Sequence, residues 1–341
     1  KYISYRYIGK NITMNIKSNH FLLIFIILGG LIGGYYIISS LVTQETDRTN
    51  LIISTTTSIY DTGLLDVIEI DFEAKYAIDI LFIPVGTGQA ILHGQRGDSD
   101  LILVHAPIIE FDFLIQDYGV ARKVVAYNFF IIIGSKDDPA GVKGRDIKDA
   151  LKHIVDSGRR GESIWISRGD DSGTHTREKS LWKEAGFDVT SLVNESWYLE
   201  AGAGMLSTLR LANEKTAYTL SDTGTFQKFS KGTQIELEIL VDQTKELINV
   251  YSAIAVNPDL IEWVNFEGAI QFIEYLISED TQDLIANFGG DIFQKKLFSS
   301  AVELLKSSSG EIESQWIKDI AFLDGSECPP QYRAEQNQLY D

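Results

Sequence analysis

From Leu51 onward, short β-rich runs alternate with longer helical ones, and this alternation limits the available folds more than any other feature. LIIST (51–55), IDILFIPV (78–85), DLILV (100–104), FFIIIG (129–134), SIWIS (163–167), AYTLSD (217–222), ELEILV (236–241) and YSAIAVN (251–257) read as strands. Helices are expected over 61–76, from 89 onward, and over 145–157, 174–185, 205–215, 266–278, 279–288 and 294–306. The pattern predicts an α/β fold with mostly parallel sheets. In such sheets ligands sit beyond the carboxyl ends of strands, where helices begin. A length of 341 residues, 44% of them hydrophobic, allows about two domains with a sizeable core.

Four strand-to-helix turns share one character. They are Ser54-Thr55-Thr56-Thr57-Ser58, Gly86-Thr87-Gly88-Gln89, Ser167-Arg168-Gly169-Asp170-Asp171-Ser172-Gly173-Thr174, and Gly202-Ala203-Gly204 before the Met205 helix. Each offers unpaired backbone N–H groups, hydroxyl donors and the positive end of a helix, which together suit an anion. Ordinary helix capping uses the same residues, and it is the coincidence of four such turns that points to an anion. Arg168 adds a permanent charge and a planar fork of donors. Asp170 or Asp171 is expected to hold it by a charge-assisted pair.

The chain carries 48 acidic and 30 basic side chains, a net charge of −18. A basic face for nucleic acid is not indicated. The single cysteine, Cys328, excludes an internal disulfide framework and a Cys-rich metal site. Residues 1–20 hold Lys1, Arg6, Lys10 and Lys17 without an acid, and Phe21–Ile38 is apolar and uncharged. This predicts one N-terminal transmembrane helix, with the basic end cytoplasmic and the acidic bulk outside. A signal peptide with Met14 as initiator is the alternative. The location expected is therefore the cell membrane, with an extracytoplasmic domain.

Seven segments, TTTSIYDTGLLD (55–66), VGTGQAI (85–91), GDSDLILVHAP (97–107), SRGDDSGTHTRE (167–178), WYLEAGAGM (197–205), ANEKTAYTLSDTGT (212–225) and YSAIAVNP (251–258), resemble the substrate-binding proteins of tungstate-type ABC transporters. The resemblance implies a two-lobed periplasmic-binding fold of type II with a ligand cleft between the lobes. It implies lobe I near 45–127 plus 251–325 and lobe II near 128–250; the basic and apolar segment 1–44 precedes them, and the polar stretch 326–341 is expected to be a flexible tail. It implies capture of tungstate, or molybdate, for a permease and its ATPase, by a monomer with no reaction, no cofactor and no cation site. By motif, Thr56, Thr57, Ser58, Thr87, Arg168, Ser172, Gly173 and Thr174 are the implied ligand contacts. Phe129 and Ala203 stand where the family usually shows an acid and a glutamine.

The more distant phosphate-binding relatives share an arginine followed four residues later by SGT, and use an aspartate where this chain has His105. A carboxylate repels a fully deprotonated oxyanion, whereas a histidine can donate. His105 is thus expected as a ligand favouring tungstate, molybdate or sulfate over phosphate, unless it is a core histidine bonded to its surroundings. Two D-T-G triplets, at Asp61 and Asp222, are shared with aspartic proteases, in which paired carboxylates share a proton. The helical pattern around Asp61 argues against that class, and Ser172 and His175 are spaced poorly for a nucleophile and base. Trp165, Trp182 and Trp197 read as packing residues.

Overall fold

The computed structural model describes residues 3–7, 10–14, 48–232, 235–306 and 310–340. Lys1–Arg48 and Thr49–Asp341 are separate compact units. In the first, β1 (Ile3–Tyr7) and β2 (Lys10–Met14) form an antiparallel hairpin. The expected transmembrane helix at 21–38 lies outside the described residues. Among the described residues no helix is long and apolar enough to cross a membrane.

The second unit opens with β3 (Thr49–Thr56), α1 (Thr57–Thr62) and α2 (Leu64–Lys75). β4 (Ile78–Val85) leads into α3 (Thr87–Arg96), and β5 (Leu101–Val104) into α4 (Pro107–Ile115). The long β6 (Gly119–Ser135) is followed by α5 (Ile147–Arg159), β7 (Trp165–Ser167), α6 (Gly173–Glu184), α7 (Val189–Leu192) and β8 (Tyr198–Glu200). Then come α8 (Met205–Lys215), β9 (Tyr218–Asp222), α9 (Thr223–Gly232), β10 (Leu237–Val241) and β11 (Ile248–Val256). The chain finishes with α10 (Phe266–Ile277), α11 (Glu279–Asn287), α12 (Gly290–Phe293), β12 (Ser299–Ser300), α13 (Val302–Lys306) and α14 (Ile312–Ala321).

The strands follow the order β4-β3-β5-β11-β6-β9-β7-β8. β3 is parallel to β4 and β5, and β7 is parallel to β8 and β9. β6 and β11 instead run antiparallel to each other and to their other neighbours. The sheet is therefore mixed, not mostly parallel. The reason is connectivity: β6 carries the chain out of one half and β11 carries it back, side by side.

β6 changes partners midway. Its first part pairs with β11 as far as Phe129↔Ile248, and from Phe130↔Asp222 onward it pairs with β9. The buried apolar residues divide at the same place. One cluster runs from Leu51 through Tyr251 and Phe272 to Leu339, and another from Phe130 through Trp165 and Trp182 to Leu247. The unit is two-lobed.

Three expectations change. The helix expected over 61–76 is two, because Gly63 takes φ 86° and its N–H closes on the Tyr60 carbonyl. Such a left-handed cap suits glycine. The stretch 294–306 is not one helix but holds β12 and α13. The tail from 326 is packed rather than flexible. Cys328 and Leu339 are buried, and Glu327 pairs with the buried Lys123 at 2.5 Å. Arg122, fully buried, pairs with Glu110 at 2.7 Å and donates to the Ala321 and Glu327 carbonyls. Two buried cations in β6 thus need the tail as a partner.

Candidate anion site

Four helices begin where the lobes meet: α1, α3, α6 and α9. Arg168 leaves the end of β7 with 2% exposure. Its Nε and Nη2 donate to Asp170 Oδ2 at 3.1 and 2.5 Å, and Nη2 reaches Thr57 Oγ1 of the other lobe at 3.5 Å. Of the two candidate partners, Asp170 holds the guanidinium, while Asp171 pairs with Lys179 at 2.8 Å.

Ser172 caps α6 by accepting from the His175 N–H at 3.2 Å. The next residue must be small. A Cβ at Gly173 would lie 2.8 Å from His105 Nε2 and 2.9 Å from Thr87 Oγ1. Gly173 thus lets the start of α6 approach the first lobe. Gly86 is similarly close, with its Cβ position 3.7 Å from the Asp170 carbonyl oxygen. The turn at 202–204 touches the same loop, since the Ala203 N–H donates to the Arg168 carbonyl at 3.3 Å.

Thr87 Oγ1 and Thr174 Oγ1 are buried without a hydrogen-bond partner, as are His175 Nε2 and Asp222 Oδ2. Buried polar groups are ordinarily satisfied. Orphans gathered at the starts of α3, α6 and α9 mark a place built to bond something outside the chain. Arg168 and the threonine hydroxyls supply donors, and the helix starts add positive potential.

The polar floor beneath is self-contained. Thr56 Oγ1 and Ser58 Oγ are 3.1 Å apart, and Ser58 Oγ is 3.1 Å from His105 Nε2. His105 Nδ1 faces Asn249 Oδ1 at 2.8 Å. Asn249 Nδ2 donates to Asn128 Oδ1 and to Tyr251 Oη, at 2.8 and 2.9 Å. These contacts assign the proton: His105 donates through Nδ1 to Asn249 and accepts at Nε2 from Ser58. Burial pushes the His105 pKa down to about 4, the Asn249 bond works against that, and Arg168 lowers it further. His105 is therefore the neutral core histidine, not a donor to an anion. Both nitrogens are committed, and it positions Ser58.

The PBP superfamily domain matches residues 43–280. The tungstate-binding protein TupA of Peptoclostridium acidaminophilum is 40% identical over 253 residues, 73% of this chain and 85% of the relative. The chain belongs to this family. Among solved structures, the tungstate-binding protein TupA from Desulfovibrio alaskensis G20 is 40% identical with a TM-score of 0.64, covering 74% of this chain and 99% of that one. The tungstate ABC transporter structure from Geobacter sulfurreducens is 42% identical with a TM-score of 0.61, covering 70% and 98%.

Within this family's fold, the chain's other motifs take ordinary places. Asp61 lies in α1 and Asp222 ends β9, and Asp222 Oδ2 has no partner, so the two D-T-G acids do not share a proton. Ser172 and His175 meet only through the capping bond, and His175 Nδ1 accepts from the Asp171 N–H. Trp165 and Trp182 are buried in the second lobe's core, and Trp197 packs with them. Phe129 lies edge-on to Trp316. Among the described residues no group of His, Cys, Asp or Glu could hold a metal cation.

One buried acid escaped the sequence reading, and another was singled out for a different reason. Glu178 is buried and accepts from Trp165 Nε1, Trp182 Nε1, Ser167 Oγ and Tyr198 Oη at 2.8, 3.2, 2.9 and 2.7 Å. Burial raises its pKa, and these four donors oppose the rise. Glu178 thereby pins Ser167, the residue before Arg168. A glutamate inside SRGDDSGTHTRE carries no sign in sequence that it faces inward. Asp222, noted in the sequence only as a D-T-G acid, accepts at Oδ1 from the Thr225 N–H at 2.8 Å, while its buried Oδ2 has no partner.

Proposed function

We propose that this chain is the extracytoplasmic substrate-binding component of an ABC transporter and captures tungstate, with molybdate as the near-equivalent ligand. The carrying observation is the meeting of Arg168 with the unpartnered Thr87 and Thr174 hydroxyls where helices from both lobes begin. A tetrahedral dianion can satisfy all three without a chemical step. Kinship with tungstate-binding proteins supports the choice of anion and the transporter role.

Thr56, Thr57, Thr87, Arg168, Ser172, Gly173 and Thr174 are the proposed contacts, with Ser58 held by His105. Lobe I is proposed to be 45–127 with 251–325 and the packed tail, and lobe II 128–250. The apolar run at 21–38 is proposed to anchor the domain outside the membrane, where the closed, anion-loaded monomer docks on its permease. Calorimetric titration with tungstate, molybdate, sulfate and phosphate tests the reading. Tight, saturable tungstate binding is expected, and exclusive binding of sulfate or phosphate would replace tungstate as the ligand.

A further inference from the structure

Asp222 is 0% exposed at the end of β9. Its Oδ1 is spent on the start of α9, accepting from the Thr225 N–H at 2.8 Å. Its Oδ2 is buried with no partner. It stands where the lobes join: it pairs in register with Phe130, and Thr225 Oγ1 donates to the Ser58 carbonyl of α1 at 3.5 Å. Two titratable groups face it, Arg168 from the end of β7 and Tyr251 from β11.

We propose, resting on the oxyanion reading above, that Asp222 selects the protonation state of the bound anion: its Oδ2 carries a proton in the complex and donates it to a fully deprotonated tetrahedral dianion.

An ionised Oδ2 has only lone pairs to offer and would repel such a dianion; the protonated form is a donor. The surroundings favour the neutral acid. Burial raises the Asp222 pKa; the bonds from Thr225 and, after them, the pull of Arg168 oppose the rise, and that guanidinium is already paired with Asp170. Tyr251 stays neutral, since burial lifts its pKa well above the ordinary value. The proton balance is simple. Where Asp222 is ionised in the free protein, binding takes one proton from solvent and breaks no bond. Hydrogenphosphate brings its own proton, which an ionised Asp222 would accept, so no uptake accompanies it. One carboxyl thus separates two classes of oxyanion of the same shape and charge.

The test is calorimetry on the full chain from pH 5.5 to 9, in buffers of differing ionisation enthalpy, with tungstate, molybdate, sulfate and phosphate as probes. Above the pKa of Asp222 in the free protein, uptake should rise toward one proton per dianion, and affinity should fall toward ~10-fold per pH unit. Asp222→Asn keeps the acceptor for Thr225 and places a permanent donor at the second position. It should bind tungstate within roughly threefold of the parent chain at pH 5.5, without proton uptake, and hold that affinity as pH rises. Asp222→Ala should lose on the order of 10- to 100-fold at pH 5.5, a gap that narrows as the parent weakens at higher pH. Equal losses in both variants, no loss in Asp222→Ala, or proton uptake persisting in Asp222→Asn would overturn the proposal. If Asp222→Ala does not fold, Asp222→Asn and the parent's proton count decide. The same pattern with sulfate but not tungstate would sink the tungstate reading alone. Phosphate binding left unchanged or strengthened by Asp222→Asn would sink the proton assignment alone, and no binding of any anion would sink both.

Discussion

Replacing Arg168 with alanine tests the site at the guanidinium proposed to meet the anion. The side chain is 2% exposed and donates twice to Asp170, whose own side chain is 19% exposed. Truncation removes the dianion's cationic partner and strands Asp170, a carboxylate, beside it. Breaking one partner of a buried, hydrogen-bonded charge pair costs about 2–5 kcal/mol. That corresponds to tungstate binding weaker by on the order of 30- to several-thousand-fold. Lysine restores a point charge but not the fork that spans Asp170 and Thr57, so Arg168→Lys should fall between. Asp170→Asn in the alanine background should recover part of the loss by removing the stranded charge. Calorimetry reads the affinities, and tryptophan fluorescence from the Trp165–Trp182 pair, 5.0 Å apart, checks that the second lobe is intact. Arg168→Ala affinity within threefold of the parent in a folded variant would refute the reasoning.

Thr87→Val removes an unsatisfied buried hydroxyl, so the free protein should hold or gain stability while tungstate affinity drops about 5- to 30-fold; denaturation and calorimetry must move in opposite directions. Gly173→Ala inserts a methyl against Thr87 and His105, and overpacking of this kind costs about 1–3 kcal/mol. Weaker binding is expected, and unchanged affinity would show that the lobes need not approach so closely. His105 is neutral when folded, with a pKa lowered from 6.5 to about 4. Its contribution is therefore present above pH 6.5 and lost as pH falls toward 4, worth about 3 kcal/mol. Urea midpoints of the parent should fall more steeply across that window than those of His105→Asn. Ending the chain after Gly325 leaves buried Lys123 without Glu327, and the loss of one partner of such a pair costs about 3–5 kcal/mol. Unchanged urea unfolding would show the tail to be dispensable.

What was readable in the sequence was local. Turns that cap helices announce themselves through Ser, Thr and Gly, and so the starts of α3, α6 and α8 were found with Arg168 among them, while α1 begins at Thr57, ahead of the helix expected from Asp61. Burial decided by distant partners was not readable. The first half of β6 holds Arg122 and Lys123, which look like a solvated stretch until Glu110 and Glu327 arrive from elsewhere. α9 passed unseen because Thr223, Gly224 and Thr225 are weak helix formers, and Asp222 supplies the cap that starts it. The role of His105 was readable only as two alternatives. Asn249, 144 residues away, decides between them.

The side-by-side crossing of β6 and β11 has a mechanical consequence. A pair of hydrogen-bonded strands bends across its face far more readily than it stretches or shears, so the joint between lobes has one soft direction and two stiff ones. The Asn128–Asn249 side-chain bond lies at that joint, immediately before β6 exchanges β11 for Asp222's strand. The spring and the anion floor are thus the same few residues. Stiffening the ribbon there would change the work of opening the clamp while leaving every donor at its tip in place.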